Sequence, residues 1–545
     1  MLGNRAALQK QRTPIGSVFR PVDRNGPVCS SPYRIAILFT LFLVLTYPGD
    51  GYPGQDTERM FSDAVASQWR WDLDKAIQLY TSVIAADANN ARAYLNRGVA
   101  YRSKGNEDRA LEDFNQAVSR DPKLVEALFG RGVIELHKKK YAKALEDLNR
   151  VLALDPIYPG VYLPRAEAQA ALGNSAAAIT DLDRALNAEP RNAEAYYLRG
   201  TAYLAQKDIE KAFLDFSKTI ELNPKNSQAW FKRGNIFFSR GKIDKALEDY
   251  NAAIKLDGKN AEFYNNRGWV LAAVGKQDEG IADLGKALEL DPRLTVALSN
   301  RAELYRKMGR DDAALADYTR LLTIQTSDPT VYMARGEILL KQTKPEEAIK
   351  DFDRALEIKP QNPEALILRA KAYAESGRFK EAVGDLDEIL KGNPDDSEAL
   401  ASRGATHEAL ASYKEAANDF ARAIDIAPQA ATETMYYSLA KNYLLSGDFE
   451  HAVKTFTKVI QMQPSNGLAY ANRGLAYKEQ DDLPKAVNDF KKALSLLKEP
   501  QRITLISNLL KESESKLKPR PAPVQQVLPE LHLPEPTQLS ESPLW

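Results

Sequence analysis

A small residue returns every 34 positions along most of this 545-residue chain. The series begins at Ala64 and runs through Gly98, Gly132, Ala166, Gly200, Gly234, Gly268, Ala302, Gly336, Ala370 and Gly404. After one slip of two residues it resumes at Ala440 and Gly474. Several of these glycines interrupt good helix formers, as Gly98 does in "AYLNRGVAYRS", where glycine costs about 1 kcal/mol relative to alanine. A local cost repeated at constant spacing has to be offset by packing. Twelve residues further on, a second small residue recurs, from Ala76, Ala110 and Ala144 to Ala452 and Ala486. Four beyond that comes a bulky one, from Tyr80 and Phe114 to Phe456 and Phe490. A period of this length outranks local propensity. Each unit reads as two amphipathic helices of about a dozen residues, joined near Gly105, Gly241, Gly275, Gly309 or Gly377. The expected fold is all-α, with the small positions marking where paired helices approach closely. Repeats are numbered here 1 to 13, from Ala64 to Gly474.

The pattern resembles the tetratricopeptide repeat family, W-x2-L-G-x2-Y…A-x3-F…A…P. Repeat 2 reads Tyr94-x2-Arg97-Gly98-x2-Tyr101, then Ala110, Phe114, Ala117 and Pro122. The resemblance covers 57–499, about thirteen 34-residue helix-turn-helix repeats. It implies a right-handed superhelical α-solenoid whose first helices line a concave groove that binds protein or peptide partners. The chain then divides into an N-terminal basic region with a hydrophobic segment (1–56), the array (57–499), a closing helix (500–518) and a proline-rich tail (519–545).

Before the small residue stands an arginine in ten successive repeats, Arg97 to Arg403, and again at Arg473. The second helix answers with Asp113, Asp147, Asp181, Asp215, Asp249, Asp283, Asp317, Asp351, Asp385, Asp419 and Asp489. Repeats 1 and 12 lack the arginine, having Asp63 and Leu439, and also lack the aspartate, having Leu79 and Thr455. Pairing within a repeat leaves nothing unmatched, whereas pairing with the next repeat would set Asp419 against Leu439 and Arg473 against Thr455. An intra-repeat ion pair that fixes helix register is therefore expected, with the heads within about 4 Å of each other.

By resemblance, groove sites lie three before, one after and four after the small residue. In mid-array they include Phe129, Leu136, Tyr197, Leu204, Phe231, Asn235, Phe238, Asn265 and Trp269. These are candidate contacts for an extended peptide or a helix, although such aromatics also pack between neighbouring repeats. Further on the sites turn charged, with Glu303, Arg306, Glu337, Lys371, Glu408 and Lys441. The lysine that a carboxylate clamp requires is missing from its site in every repeat, which disfavours a co-chaperone function. The two extra residues before repeat 12 fall in "APQAATETM", where a change of superhelical pitch is expected.

Residues 1–34 hold six Lys/Arg and one acid, and the apolar run Ile35 to Tyr47 follows. A predominantly apolar run of thirteen residues is short for a membrane span, which needs about 20, and suits a signal-peptide core. The expectation is an exported array, periplasmic or membrane-anchored through 35–47, with a cytoplasmic or organellar protein as the alternative. The tail, with seven prolines in 27 residues, should be extended, with polyproline II character. Lys plus Arg equals Asp plus Glu, 74 each, which opposes nonspecific binding to nucleic acid. Cys29 is the one cysteine and the four histidines lie far apart, so neither a disulfide nor a clustered metal site is expected, and no cofactor is implied. No phosphate-cradling loop or nucleophile elbow appears. The chain reads as a non-catalytic scaffold or adaptor for protein partners in a bacterial envelope complex. The alternative is a regulatory accessory subunit of an enzyme, for example in polysaccharide or envelope assembly.

Overall fold

The computed structural model describes residues 55–517 except 159. The basic region, the apolar run 35–47 and the proline-rich tail lie outside the described residues. These fall into two compact units that divide between Met308 and Gly309. The first unit holds seven complete hairpins, from Gln55–Trp69 with Leu73–Ala86 to Ala261–Ala273 with Gln277–Leu290, and then the helix Thr295–Lys307. The second opens with Asp311–Ile324. It holds five complete hairpins, from Pro329–Lys341 with Pro345–Ile358 to Gly467–Glu479 with Leu483–Leu496, and ends with Pro500–Leu517. Within each unit the described chain is all-α, as its period predicts.

Helix ends are set by short-range chemistry. Asn90 accepts from the Ala93 backbone N–H at 3.0 Å and starts the first helix of repeat 2. That helix stops where Asn106 N–H reaches the Tyr101 carbonyl and Gly105 N–H the Arg102 carbonyl, both at 2.9 Å. This closure needs a left-handed residue between the helices. The equivalent residue has positive φ in all thirteen repeats, but only seven supply glycine. Trp71, Lys139, Lys207, Thr343, Ala411 and Asp481 take it with a Cβ, at φ between 57° and 63°. Lys139 is exposed, so Lys139→Gly loses no packing. It should stabilise repeat 3 by about 0.5–1 kcal/mol, seen as a higher urea midpoint; no change would mean that this turn is unstrained.

The small positions serve two kinds of close approach. In repeats 2, 5, 6, 9, 11 and 13 the first-helix glycine makes room for an aromatic ring of the second helix. A Cβ on Gly98 would stand 2.9 Å from Phe114 Cε1, and one on Gly336 2.6 Å from Phe352 Cε1. In repeat 7 the contact is backbone to backbone, a Gly268 Cβ meeting the Gly280 carbonyl at 2.8 Å. Rings such as Phe114, Phe216, Tyr250, Phe352 and Phe490 are in turn fully buried. Successive first helices touch, whereas successive second helices do not pack as closely. The first helices therefore form the tighter layer of each unit. The two residues inserted before repeat 12 are absorbed by its connector, 427–432, between helices of ordinary length, Tyr413–Ile426 and Glu433–Leu445.

Candidate functional site

Ten repeats lie within one unit and carry both arginine and aspartate, and all ten form the expected pair. Each arginine donates from Nε and Nη2 to the two oxygens of its own aspartate, at 2.6–2.9 Å. The carboxylate side chains are 3–12 % exposed and the arginines 16–23 %. The aspartate's hydrogen bonds hold the Arg97 guanidinium above its ordinary value. Burial pushes the Asp113 carboxyl up, against the pull of its arginine.

A further contact was not foreseen. In nine repeats the remaining nitrogen, Nη1, reaches back to the preceding repeat. Arg97 donates to Thr81 at 3.0 Å, Arg131 to Asn115 at 3.2 Å and Arg199 to Asp183 at 2.6 Å. Arg369 and Arg403 meet Asp353 and Asp387, each at 2.6 Å. The arginine row therefore staples hairpins together as well as fixing register within each one.

The nine mid-array candidates separate by exposure. Phe129, Leu136 and Phe231 are buried, which corrects their assignment to an open groove surface. The Phe129 ring lies 5.2 Å from Tyr158, and Phe231 lies 4.8 Å from Phe263; flat rings fill the seam between consecutive hairpins. Asn265 is also buried. It belongs to a hydrogen-bonded chain in which Asn300 donates to Asn265 at 3.0 Å, Asn265 to Asn266 at 2.9 Å and Asn266 to Asn235 at 3.0 Å. Tyr197, Leu204, Asn235, Phe238 and Trp269 are half-buried and form the part of this set that a ligand can touch.

A cleft of about 130 Å3 opens instead on the first helices of repeats 11 to 13, lined by Glu408, Glu433, Thr434, Tyr437, Ser438, Lys441, Asn466 and Leu468. It sits at the one internal repeat without the arginine–aspartate pair. Lys441 and Asn442 both donate to Glu408, at 2.9 and 2.6 Å. Asn466 donates to Glu433 at 2.7 Å, and Asn472 to the Tyr437 hydroxyl at 2.8 Å. Burial pushes Tyr437 up to about 12, against the Asn472 hydrogen bond, so it stays a neutral donor. Asn442 is fully buried in a column that otherwise reads Ala66, Ala100, Ile134, Ala168, Ala202, Ile236, Val270, Leu304, Ile338, Ala372, Thr406 and Ala476. The only amide in a column that is apolar except for Thr406 was the sequence signal that could have located this cleft.

Glu194, six residues before the small position of repeat 5, is partly buried. Burial, assisted by the Glu167 charge, raises it from 4.5 to about 7. Its folded value lies above its unfolded one, so the stability tied to this proton is present below about pH 4.5 and is lost as pH rises through about 7. Glu194→Gln should therefore stabilise the protein by roughly 1–2 kcal/mol at pH 8 and hardly at pH 4.5. A pH-independent gain in denaturation midpoint would refute this reading. Among the described residues no group of three or more His, Cys, Asp or Glu is placed to hold a metal ion, and no helix is long and apolar enough to cross a membrane.

Stacked 34-residue hairpins, closed by left-handed turns and stapled by arginines that join first helices to second helices, define an all-helical protein-interaction scaffold. Models of the tetratricopeptide repeat match residues 91–124, 108–159, 163–227, 216–248, 234–275, 261–294, 299–363, 339–406, 433–466 and 468–496. The chain belongs to the tetratricopeptide repeat family. A tetratricopeptide repeat protein from Parabacteroides merdae is 24 % identical, matching 47 % of this chain and 98 % of its own with a TM-score of 0.34. YrrB, described as a TPR protein with an unusual peptide-binding site, is 23 % identical over 34 % of this chain and 95 % of its own, TM-score 0.32. Yeast Tom70 is 16 % identical over 85 % and 96 %, TM-score 0.28. No curated protein matches the sequence.

Proposed function

We propose that this protein is a non-catalytic scaffold that holds an extended partner peptide or protein segment along its first-helix face. The observation that carries this reading is the exposure pattern of that face. Positions three before, one after and four after the small residue share one side of a helix. Tyr197, Leu204, Asn235, Phe238 and Trp269, all at such positions, remain half-buried where a purely structural seam would bury them. Lys307 Nζ lies 5.9 Å from the Trp269 ring, which gives that stretch both an aromatic platform and a cation.

A photo-crosslinking residue placed at Tyr197 should capture partner protein. The same residue at Leu214, 64 % exposed on the second helix of repeat 5, should capture little. Equal yields from the two faces would overturn the proposal.

We further propose that the scaffold works in a bacterial envelope complex. The basic region 1–34 followed by the apolar run 35–47 supports export, since a positive flank stays inside while the chain beyond it crosses. N-terminal sequencing of the mature protein, together with cell fractionation, tests this. An intact protein recovered wholly in the cytoplasm would refute it.

A further inference from the structure

The cleft of repeats 11 to 13 has a chemical bias that the groove reading alone does not supply. Its lining holds two carboxylates, Glu408 and Glu433, and one cation, Lys441. Lys441 is neutralised by Glu408 at 2.9 Å, and the other Glu408 oxygen takes the Asn442 amide at 2.6 Å. Asn442 is fully buried, its nitrogen also donates to the Ser438 carbonyl at 2.8 Å, and its side-chain oxygen has no partner among the described residues. A buried amide with one end unsatisfied costs free energy; here its other end fixes Glu408, and through it Lys441, in place. Arg502 acts on Tyr437 from the closing helix, but Glu499 holds it at 2.6 Å.

Among the described residues Glu433 is left as the lining carboxylate without a cation. One of its oxygens accepts from Asn466 at 2.7 Å. Around it stand the hydroxyls of Thr434, Ser438 and Tyr437, and the apolar wall of the Tyr437 ring and Leu468. The hydroxyls can turn to donate or accept and so carry no bias of sign, an apolar wall suits an aliphatic stem, and the net charge of the lining is −1. At about 130 Å3 the cleft is smaller than a site for a drug-sized ligand, about 300–1,000 Å3, and fits one long side chain.

We propose that this cleft takes an arginine or lysine side chain of a partner peptide, with Glu433 reading its charge. This rests on the reading of the first-helix face as the binding face. The test selects phage-displayed random twelve-residue peptides against the full chain, with competition by the selected peptides for crosslinking at Tyr197 and Tyr437. Peptides crosslinked at Tyr437 should be enriched in Arg or Lys at one position. The enriched peptide should bind Glu433→Gln about tenfold more weakly by fluorescence anisotropy. Glutamine retains an oxygen for Asn466, so the melting temperature should hold. Selection against Glu433→Lys should shift that position towards Asp or Glu. Peptides that crosslink at Tyr437 with no basic preference, or that bind Glu433→Gln unchanged, overturn the charge assignment and leave the groove reading standing. If no selected peptide crosslinks at either first-helix site, the groove reading falls and this inference with it.

Discussion

Valine in place of Gly336 is expected to unfold repeat 9 locally. A Cβ at this position would stand 2.6 Å from Cε1 and 2.8 Å from Cζ of Phe352, a ring that is itself fully buried. Neither the ring nor the helix Pro329–Lys341 can retreat without opening the hairpin. Overpacking of this kind costs about 1–3 kcal/mol and sometimes more; the two further methyl carbons of valine put the expected loss at about 3 kcal/mol. Each repeat is stabilised by itself and its neighbours. Hydrogen exchange on the full chain should therefore lose protection in 329–358 first, with little change in the distant hairpins of the first unit.

The control lies in the next repeat. Gly384 sits inside the helix Phe379–Gly392 with nothing within 4 Å of a built Cβ. Alanine there should stabilise by about 0.5–1 kcal/mol. Two helical glycines thus predict opposite signs, and a common sign would defeat the packing explanation of the 34-residue period.

Removing the carboxylate of Asp249 should be nearly as damaging. Asp249 is 3 % exposed and receives both Arg233 nitrogens at 2.8 Å. Asp249→Ala leaves a guanidinium, 18 % exposed, facing an apolar seam. Breaking a buried pair from one side costs about 3–5 kcal/mol. The partial exposure of Arg233 argues for the lower end, about 3 kcal/mol. The rescue is written elsewhere in the same chain. Repeat 12 has Leu439, buried, and Thr455 at the corresponding places. The double variant Arg233→Leu, Asp249→Thr should recover most of the loss, because two apolar or neutral partners leave no stranded charge. Urea denaturation of the unchanged protein, Arg233→Leu, Asp249→Thr and the double variant closes the cycle, with Asp249→Ala measured beside it. An Asp249→Ala loss below about 0.5 kcal/mol would place the pair with ordinary surface ion pairs.

The arginine–aspartate pairing was legible because its exceptions coincide: Asp63 with Leu79, and Leu439 with Thr455. The inter-repeat bond of the same arginine was less visible, although its acceptors form a column two residues after the aspartate position, whether or not an aspartate stands there: Thr81, Asn115, Asn149, Asp183, Asn251, Thr319, Asp353, Asp387 and Thr457. Opposite Leu439 that column holds Ala421. Reading it requires knowing how far the guanidinium fork reaches once hairpins are stacked. The groove residues were harder still. Phe129 and Tyr197 occupy the same site in repeats 3 and 5, yet Phe129 is buried against Tyr158 while Tyr197 stays half-exposed.

What the sequence determined by itself is the period, read across the array, and with it everything local to one hairpin: the paired helices, the capping residues and the ion pair. The local features depend on residues at most 16 apart on one or two helices, and comparing repeats was enough to read them. Which side chains of the first-helix layer remain open was decided only by tertiary structure. Exposure there depends on the bulk of residues one and two repeats away, so identical motif positions diverge. The Glu433 cleft exists because Glu408, Tyr437, Lys441 and Asn466, drawn from repeats 11, 12 and 13, are brought together by stacking.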